Sequence, residues 1–347
     1  MLRFMTLKKL IHHTIFGLAL FSTNVWSAVI LQYHHVSEKL PAVTSVSEDT
    51  FTAHLNYLKD NNYSVIALPE MLSALQSGQS LPAKTVAITF DDGYKNNLSA
   101  AAPILESFGY PYTIFVNPKL IDEQKSYVMS WQELREVAKK GATIANHSAQ
   151  HDYLHRKQEG ETQAQWRERI SQDITWSQAR IKAEIGHDYP YLAYPYGEFN
   201  QALRKLVSEL GIIGIGQHSG AVGPTSDFTR LPRFPASGNY SKLDTLKVKL
   251  DTKAFAIAEM AYNNSVTSNK QPQITLHFNQ QDFHSSQFAC FVSGVGQADI
   301  NWVNEQQVQI TTPKALPLGR SRYNCTAPSI SEPGRYHWFS QPWVIVK

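Results

Sequence analysis

Two short segments concentrate the residues that could do chemistry. Thr89-Phe90-Asp91-Asp92-Gly93-Tyr94 follows the apolar run Thr85–Ile88, so two adjacent carboxylates stand at the C-terminal end of a predicted strand. Side chains alternate along an extended chain, so one carboxyl can hold a metal while the other faces a substrate. Gly93 lets the backbone turn sharply beneath them. Taken alone, the segment also reads as an Asp-rich turn closing a strand. His147-Ser148-Ala149-Gln150-His151 follows a second predicted strand, Thr143–Asn146. An i, i+4 spacing on one helical turn sets two imidazoles on one side, suited to one metal ion. In a chain with 13 His such a pair arises readily by chance, and its weight comes from position. Both motifs follow strands of one sheet, and barrel geometry could bring them together.

The elements that must do this positioning are legible from about Ala28 to Lys249. Short β-like runs at Val29–Tyr33, Ser64–Ala67, Thr85–Phe90, Tyr112–Val116, Thr143–Asn146, Tyr191–Tyr194 and Ile212–Ile215 alternate with helical stripes. Phe51, Leu55 and Leu58 mark one helix, and Ala101, Ile104, Leu105 and Phe108 another. Ser130 and Glu133 form a capping box for a third, carrying Leu134 and Val137 and stopped by Gly141. Ile170, Ile174, Ala179, Ile181 and Ile185 mark a long helix. The alternation predicts an α/β fold, a barrel or a doubly wound sheet. From about Leu250 the texture changes to short alternating runs at Gln273–Phe278, Gln287–Val292, Gln306–Thr311, Tyr336–Phe339 and Trp343–Val346. This predicts a separate all-β sandwich over residues 251–347 after an α/β domain over 28–250.

The chain carries 32 Lys+Arg against 29 Asp+Glu, and 42% of its residues are hydrophobic. Arg3, Lys8 and Lys9 lie in the first 27 residues with no acid beside them, leaving 29 against 29. No global basic field for nucleic acid remains. Residues 1–27 read as a secretory signal peptide, with a basic start, a short apolar run from Ile15 to Phe21 and cleavage after Ser27. No other segment is apolar enough to span a bilayer. In an oxidising compartment Cys290 and Cys325 would pair, contributing roughly 3–4 kcal/mol. Asn146 opens an Asn-His-Ser glycosylation sequon beside the His pair, so a bacterial secreted or periplasmic protein fits better than a eukaryotic one. Trp131, Trp166 and Trp176 lie on predicted helices and read as packing residues. Trp302, Tyr323, Tyr336, Trp338, Phe339 and Trp343 read as sandwich core ahead of a sugar-stacking row.

Together the two motifs resemble the polysaccharide deacetylases of carbohydrate esterase family four, which share the NodB homology domain. The resemblance covers about residues 28–245. It implies a distorted (β/α) barrel, with Asp91 as catalytic base and Asp92, His147 and His151 as ligands of a divalent metal. Tyr194-Pro195-Tyr196-Gly197 is similar to the family's third motif, which implies that Pro195 and Tyr196 line the groove and that the Tyr196 N–H holds the oxyanion. Two family features are absent: the Arg upstream of Pro-Tyr, where Tyr191-Leu192-Ala193 stands, and a Leu-x-His late in the domain. The opening Leu31-Gln32-Tyr33-His34-His35-Val36 instead resembles the biofilm poly-N-acetylglucosamine deacetylases. In those the strand order is circularly permuted and a Tyr-His motif near the start carries the general acid, which implies His34 here. His35 would face the opposite side of the strand, and His277 falls in the β-rich tail. Arg233, in Arg230-Leu231-Pro232-Arg233-Phe234, is the candidate to orient Asp91, or else a structural Arg.

The implied reaction is hydrolysis of N-acetyl groups on a β-linked N-acetylglucosamine polymer, with the acetylated polysaccharide as partner. Zinc is the default metal for a mixed N/O site, with cobalt, nickel and iron open. The same residues would serve an O-acetyl esterase or a chitin or peptidoglycan deacetylase. A non-catalytic glycan-binding protein on a degenerate esterase scaffold is the reading from another class. The terminal sandwich is expected to be Ig-like.

Overall fold

The computed structural model describes residues 27–347. The leader expected over 1–27 lies, apart from Ser27, outside them. The chain runs through β1 (Val29–Tyr33), β2 (His35–Val36), β3 (Ser45–Val46), α1 (Glu48–Asp60), β4 (Ser64–Val65), α2 (Leu68–Gln76), β5 (Thr85–Phe90), α3 (Ala102–Phe108) and β6 (Tyr112–Val116). It continues through α4 (Pro118–Asp122), α5 (Trp131–Lys139), β7 (Ala142–Asn146), α6 (Gln163–Ile185), β8 (Tyr191–Ala193), α7 (Gln201–Glu209), β9 (Ile213–Ile215), β10 (Phe234–Pro235) and α8 (Leu243–Leu250).

Eight of these strands form one parallel sheet in the order β10-β1-β5-β6-β7-β8-β9, with β4 beside the start of β5. The sheet curves into a half-barrel, and the stretch from Phe228 to Ala236 draws its two edges together. Gly214 donates to the Phe228 carbonyl, Gly216 donates to that of Leu231, and Ala236 donates to Gln32 on β1. Every residue of β5 is buried, because one face meets helices and the other the barrel interior. Val86, Ile88 and Phe90 pack outward with Phe51, Leu55 and Leu58 of α1. Ala87, Ala145 and Ala193 face inward with Phe115, and their small side chains leave interior room that a guanidinium occupies. Burying each large apolar side chain contributes about 1.5–3 kcal/mol.

Helix boundaries follow local chemistry. The Ser130–Glu133 capping box opens α5, and a second, Thr162–Gln165, opens α6. The α6 stripe differs from expectation. Ile170, Ile174 and Ile181 are buried, but Ala179 faces solvent, and Trp166 and Ser177 complete the covered face. Trp176 is exposed as well, so packing does not explain it.

Beyond α8 the chain is all β: β11 (Thr252–Lys253), β12 (Ile257–Ala261), β13 (Val266–Thr267), β14 (Ile274–Phe278), β15 (Ala289–Val292), β16 (Gly296–Gln297), β17 (Asp299–Asn304), β18 (Gln307–Thr311), β19 (Gly319–Pro328) and β20 (Tyr336–Ile345). A six-stranded sheet, β11-β20-β19-β15-β16 with β13 on β20, shares one apolar core with a four-stranded sheet, β12-β14-β18-β17. Two expected runs, Tyr336–Phe339 and Trp343–Val346, are parts of the single strand β20, which pairs along the full length of β19. The strand β19 escaped notice because its Arg, Ser and Asn residues break the apolar alternation. Tyr323 and Trp343 lie in the core, Trp302 and Phe339 pack against it, and Tyr336 is exposed, as is Phe291 on β15. Cys290 and Cys325 face each other across β15 and β19 as a disulfide.

Candidate active site

Most of the proposed chemistry sits where parallel strands end, the rim at which α/β barrels collect loops. His34 is the first residue after β1, Asp91 and Asp92 follow β5, His147 follows β7, and Pro195 and Tyr196 lie just past β8. Among the described residues seven non-glycine positions have positive φ, and Asp92 (71°), Ser148 (67°), His151 (66°) and Tyr196 (61°) are four of them. Such conformations cost of order 1–3 kcal/mol each and persist where surrounding contacts hold them.

The His pair does not sit on a helical turn as the spacing suggested. Residues 147–151 form an irregular loop. Asn146 Oδ1 accepts from the Ser148 N–H, and Ser148 Oγ accepts from the His151 N–H. These short side chains compete with helical bonding for the backbone. Asn117 Nδ2 donates to the carbonyls of His147 and Ser148, and Asp173 accepts from the Ala149 N–H. The loop still brings the two rings together, with centroids 4.9 Å apart. Asn146 is fully buried and its amide donates to the Ile174 carbonyl, so the folded chain has no room for a glycan there.

Asp92 Oδ1 lies 3.3 Å from His147 Nε2 and 3.3 Å from His151 Nε2. One donor atom from each residue falls within 4.8 Å of the others. A tetrahedral site with bonds of about 2.0 Å has ligand–ligand edges of about 3.3 Å, so the set fits one divalent ion. His147 supplies a second test. Its Nδ1 lies 2.8 Å from the Ala193 carbonyl and donates to it, which leaves the buried Nε2, without a hydrogen-bond partner, as the lone-pair nitrogen. Burial pushes the His151 imidazole down to about 4, the neutral form a metal requires.

Asp91 is fully buried beside this set. Arg233, also fully buried, grips it with two bonds, Nη1 to Oδ1 at 2.7 Å and Nη2 to Oδ2 at 2.8 Å. Arg233 is itself held by the carbonyl of Gly216 and by Thr89 Oγ1. Burial alone would raise the Asp91 pKa. The Arg233 charge and the Arg233 bonds outweigh it and hold the carboxyl well below the usual range. His34 Nε2 lies 3.9 Å from Asp91 Oδ2 and is partly open to solvent. His35 turns away, stacked on Tyr94 at 3.8 Å and accepting from Asn96. His277 is an exposed residue of β14. Sequence reasoning passed over Gln32, whose Nε2 donates to Asp91 Oδ2 at 2.7 Å. The signal was there: Gln32 is the one polar residue in the otherwise apolar and aromatic run of β1, and every residue of that run is buried.

Tyr196 packs its ring edge-on to His151 at 4.4 Å and flat on Tyr153 at 4.0 Å, and the Arg156 guanidinium covers the far face of Tyr153 at 3.5 Å. Pro195, the preceding residue, is buried.

Residues 78–215 match the family described as polysaccharide deacetylase. Over that stretch the chain is similar to that family. The match takes in Asp91, Asp92, His147, His151, Pro195 and Tyr196, while His34 and Arg233 lie outside it. The poly-beta-1,6-N-acetyl-D-glucosamine N-deacetylase of Escherichia coli K12 is 22% identical over 286 residues, which is 72% of this chain and 40% of that protein. Its Staphylococcus aureus counterpart is 25% identical over 227 residues, 60% of this chain and 78% of that one. The chain thus spans less than half the length of the Escherichia coli relative. In structure it is similar to a Streptococcus pyogenes deacetylase solved in complex with acetate, with a TM-score of 0.59 at 21% identity, covering 65% of this chain and 99% of that one. That likeness concerns the fold. No helix among the described residues is long and apolar enough to cross a membrane.

Proposed function

We propose that this protein is an exported, metal-dependent polysaccharide N-deacetylase acting on a β-linked N-acetylglucosamine polymer. The observation that carries the reading is the convergence of Asp92, His147 and His151 on one point beside an ionised, buried Asp91. The two poly-N-acetylglucosamine deacetylases among its relatives support the substrate class. The Cys290–Cys325 disulfide supports export from the cytoplasm. A permuted barrel over 28–250 is supported by the first strand, which leads into His34 and lies beside the strand that leads into Asp91. An Ig-like sandwich over 251–347 is supported by its two sheets around one core.

Asp92, His147 and His151 would hold the ion, with zinc the default for this donor set. A divalent ion there supplies Lewis acidity to the acetyl carbonyl and to the attacking water. The other roles belong to the chain. An ionised carboxylate offers about four lone pairs. Arg233 takes one on each oxygen of Asp91 and Gln32 takes the second on Oδ2, so one on Oδ1 remains to accept the proton of water. Arg233 therefore orients the base and keeps it ionised. His34, at the open edge of the site, donates a proton to the leaving amine, and the Tyr196 N–H stabilises the oxyanion.

The test is acetate release from N-acetylglucosamine oligomers, with and without chelator, for wild type, Asp91→Asn and His34→Ala. Loss of activity in chelator and in both variants is expected. Full activity in Asp91→Asn overturns the mechanism, and normal activity in His34→Ala removes only the acid assignment.

A further inference from the structure

The all-β region reaches into the rim of the barrel at the loop that carries Tyr196. Arg320 and Arg322 stand two apart on β19 and therefore share a face of the sheet. Arg320 Nε donates to Glu198 Oε1 at 2.7 Å, and its guanidinium lies 5.5 Å from the centre of the Tyr196 ring. Arg322 Nη2 donates to the Gln217 carbonyl at 3.1 Å. Glu198 is nearly buried and gathers further partners, with His155 Nε2 at 2.8 Å and Arg156 Nη2 at 3.8 Å from Oε2. Two more groups of the all-β region hold the same loop. Ser265 Oγ donates to the Phe199 carbonyl, and Asn264 Oδ1 accepts from the Gln201 N–H at 3.2 Å. The loops after β8 and β9 are in turn locked together, since a Cβ on Gly197 would lie 2.5 Å from Gln217 Cβ.

These contacts surround a strained element. Tyr196 holds a left-handed backbone that only its surroundings can maintain, and its ring supports His151. Both faces of Tyr153 are already covered, by Tyr196 and by Arg156, so Tyr153 is a support and offers no sugar-stacking face. The side chain of Arg320 is 55% exposed, so its ion pair adds little to overall stability. Its place, beside a buried carboxylate two residues beyond Tyr196, suits it to geometry instead.

We propose that Arg320 and Arg322 are positioning residues, through which the all-β region holds the Tyr196–Glu198 and Gln217 loops and thereby sets His151 in the metal site. The region is then a working part of the active site and not a detachable binding module. The rate readout rests on the deacetylase reading, whereas the metal readout does not.

The experiment compares the full-length chain as wild type, Arg320→Ala, Arg320→Ala/Arg322→Ala and Arg320→Lys. It measures kcat and KM for acetate release from N-acetylglucosamine oligomers, zinc affinity by competition with a chromogenic chelator, and thermal melting. Arg320→Ala is expected to lower kcat about tenfold with KM unchanged, and the double variant up to about a hundredfold. Zinc binding should weaken about tenfold, and Arg320→Lys should restore part of both losses. A lower melting temperature with wild-type kcat and zinc affinity overturns the proposal, as does a rise in KM alone, which would make Arg320 a substrate contact. If wild type releases no acetate, the deacetylase reading fails separately, and unchanged zinc affinity in the double variant then overturns the positioning role.

Discussion

Asp91 in the barrel and Asp282 in the all-β region are both carboxylates held below their usual pKa range, yet they are built for different ends. At Asp282, burial would raise the pKa, and bonds from Lys253, Ser329 and Ser331 outweigh it. Lys253 Nζ, the hydroxyls of Ser329 and Ser331, the Ser331 N–H and the His337 ring all bond this side chain. Four of those five donors crowd Oδ2, so Asp282 is a staple between β11, β20 and the neighbouring loops. Asp91 keeps one lone pair free beside an open histidine and three metal-type donors. The backbones differ in the same sense. Non-glycine residues with positive φ crowd the barrel rim, and among the described residues none lies beyond Tyr196, where only glycines adopt that conformation. A carboxylate tied into ordinary ion pairs on relaxed backbone stabilises, whereas one beside metal-type donors and an open histidine among strained residues is poised to react.

Substitution separates the two acids. Asp91→Asn should lower the rate of acetate release about a thousandfold while circular dichroism still reports a folded chain, and a drop of less than tenfold would make Asp91 another staple. Arg233→Ala strands a fully buried carboxylate and should cost about 3–5 kcal/mol of unfolding free energy by urea titration. A cost under about 1 kcal/mol would mean that water reaches Asp91 and that the pair is not buried in solution. Asp282→Asn should cost about 1–3 kcal/mol and leave kcat unchanged below the melting temperature, so a large fall in kcat would erase the contrast.

The smallest effect concerns pH. Lys249 on α8 is buried, with Nζ donating to the Pro235 carbonyl, and burial pushes its pKa from 10.5 down to about 8. Between those values the unfolded chain binds more protons than the folded one, so stability rises with pH through this window and the cost of the buried charge is present below it. Urea unfolding at about pH 7.5 and about pH 10 should differ by about 1–3 kcal/mol from this group, and Lys249→Met should remove that difference.

Legibility was greatest where the determinant is local. The strands Val29–Tyr33, Thr85–Phe90 and Tyr112–Val116 have the limits their apolar runs suggest, since full burial between helices and barrel interior demands unbroken hydrophobicity. The loop at 147–151 was misread because an i, i+4 spacing says nothing of how Asn146 and Ser148 bond the backbone. The strand β19 was missed because its polar residues serve contacts with the barrel rim, which periodicity cannot register.

By itself the sequence determined which residue types end each strand: Asp91-Asp92 after one, His147 after another, Pro195-Tyr196 after a third. Those depend on alternation, turn chemistry and burial within a few residues of chain. Only the tertiary structure decided that Arg233, 142 residues from Asp91, is its partner, that Gln32 shares the carboxylate, and that Arg320 lies against the Tyr196 loop. The pairings arise when the curved sheet and the all-β region bring distant segments within bonding distance. A buried charge accepts whichever donor the fold delivers, and no local pattern records that choice.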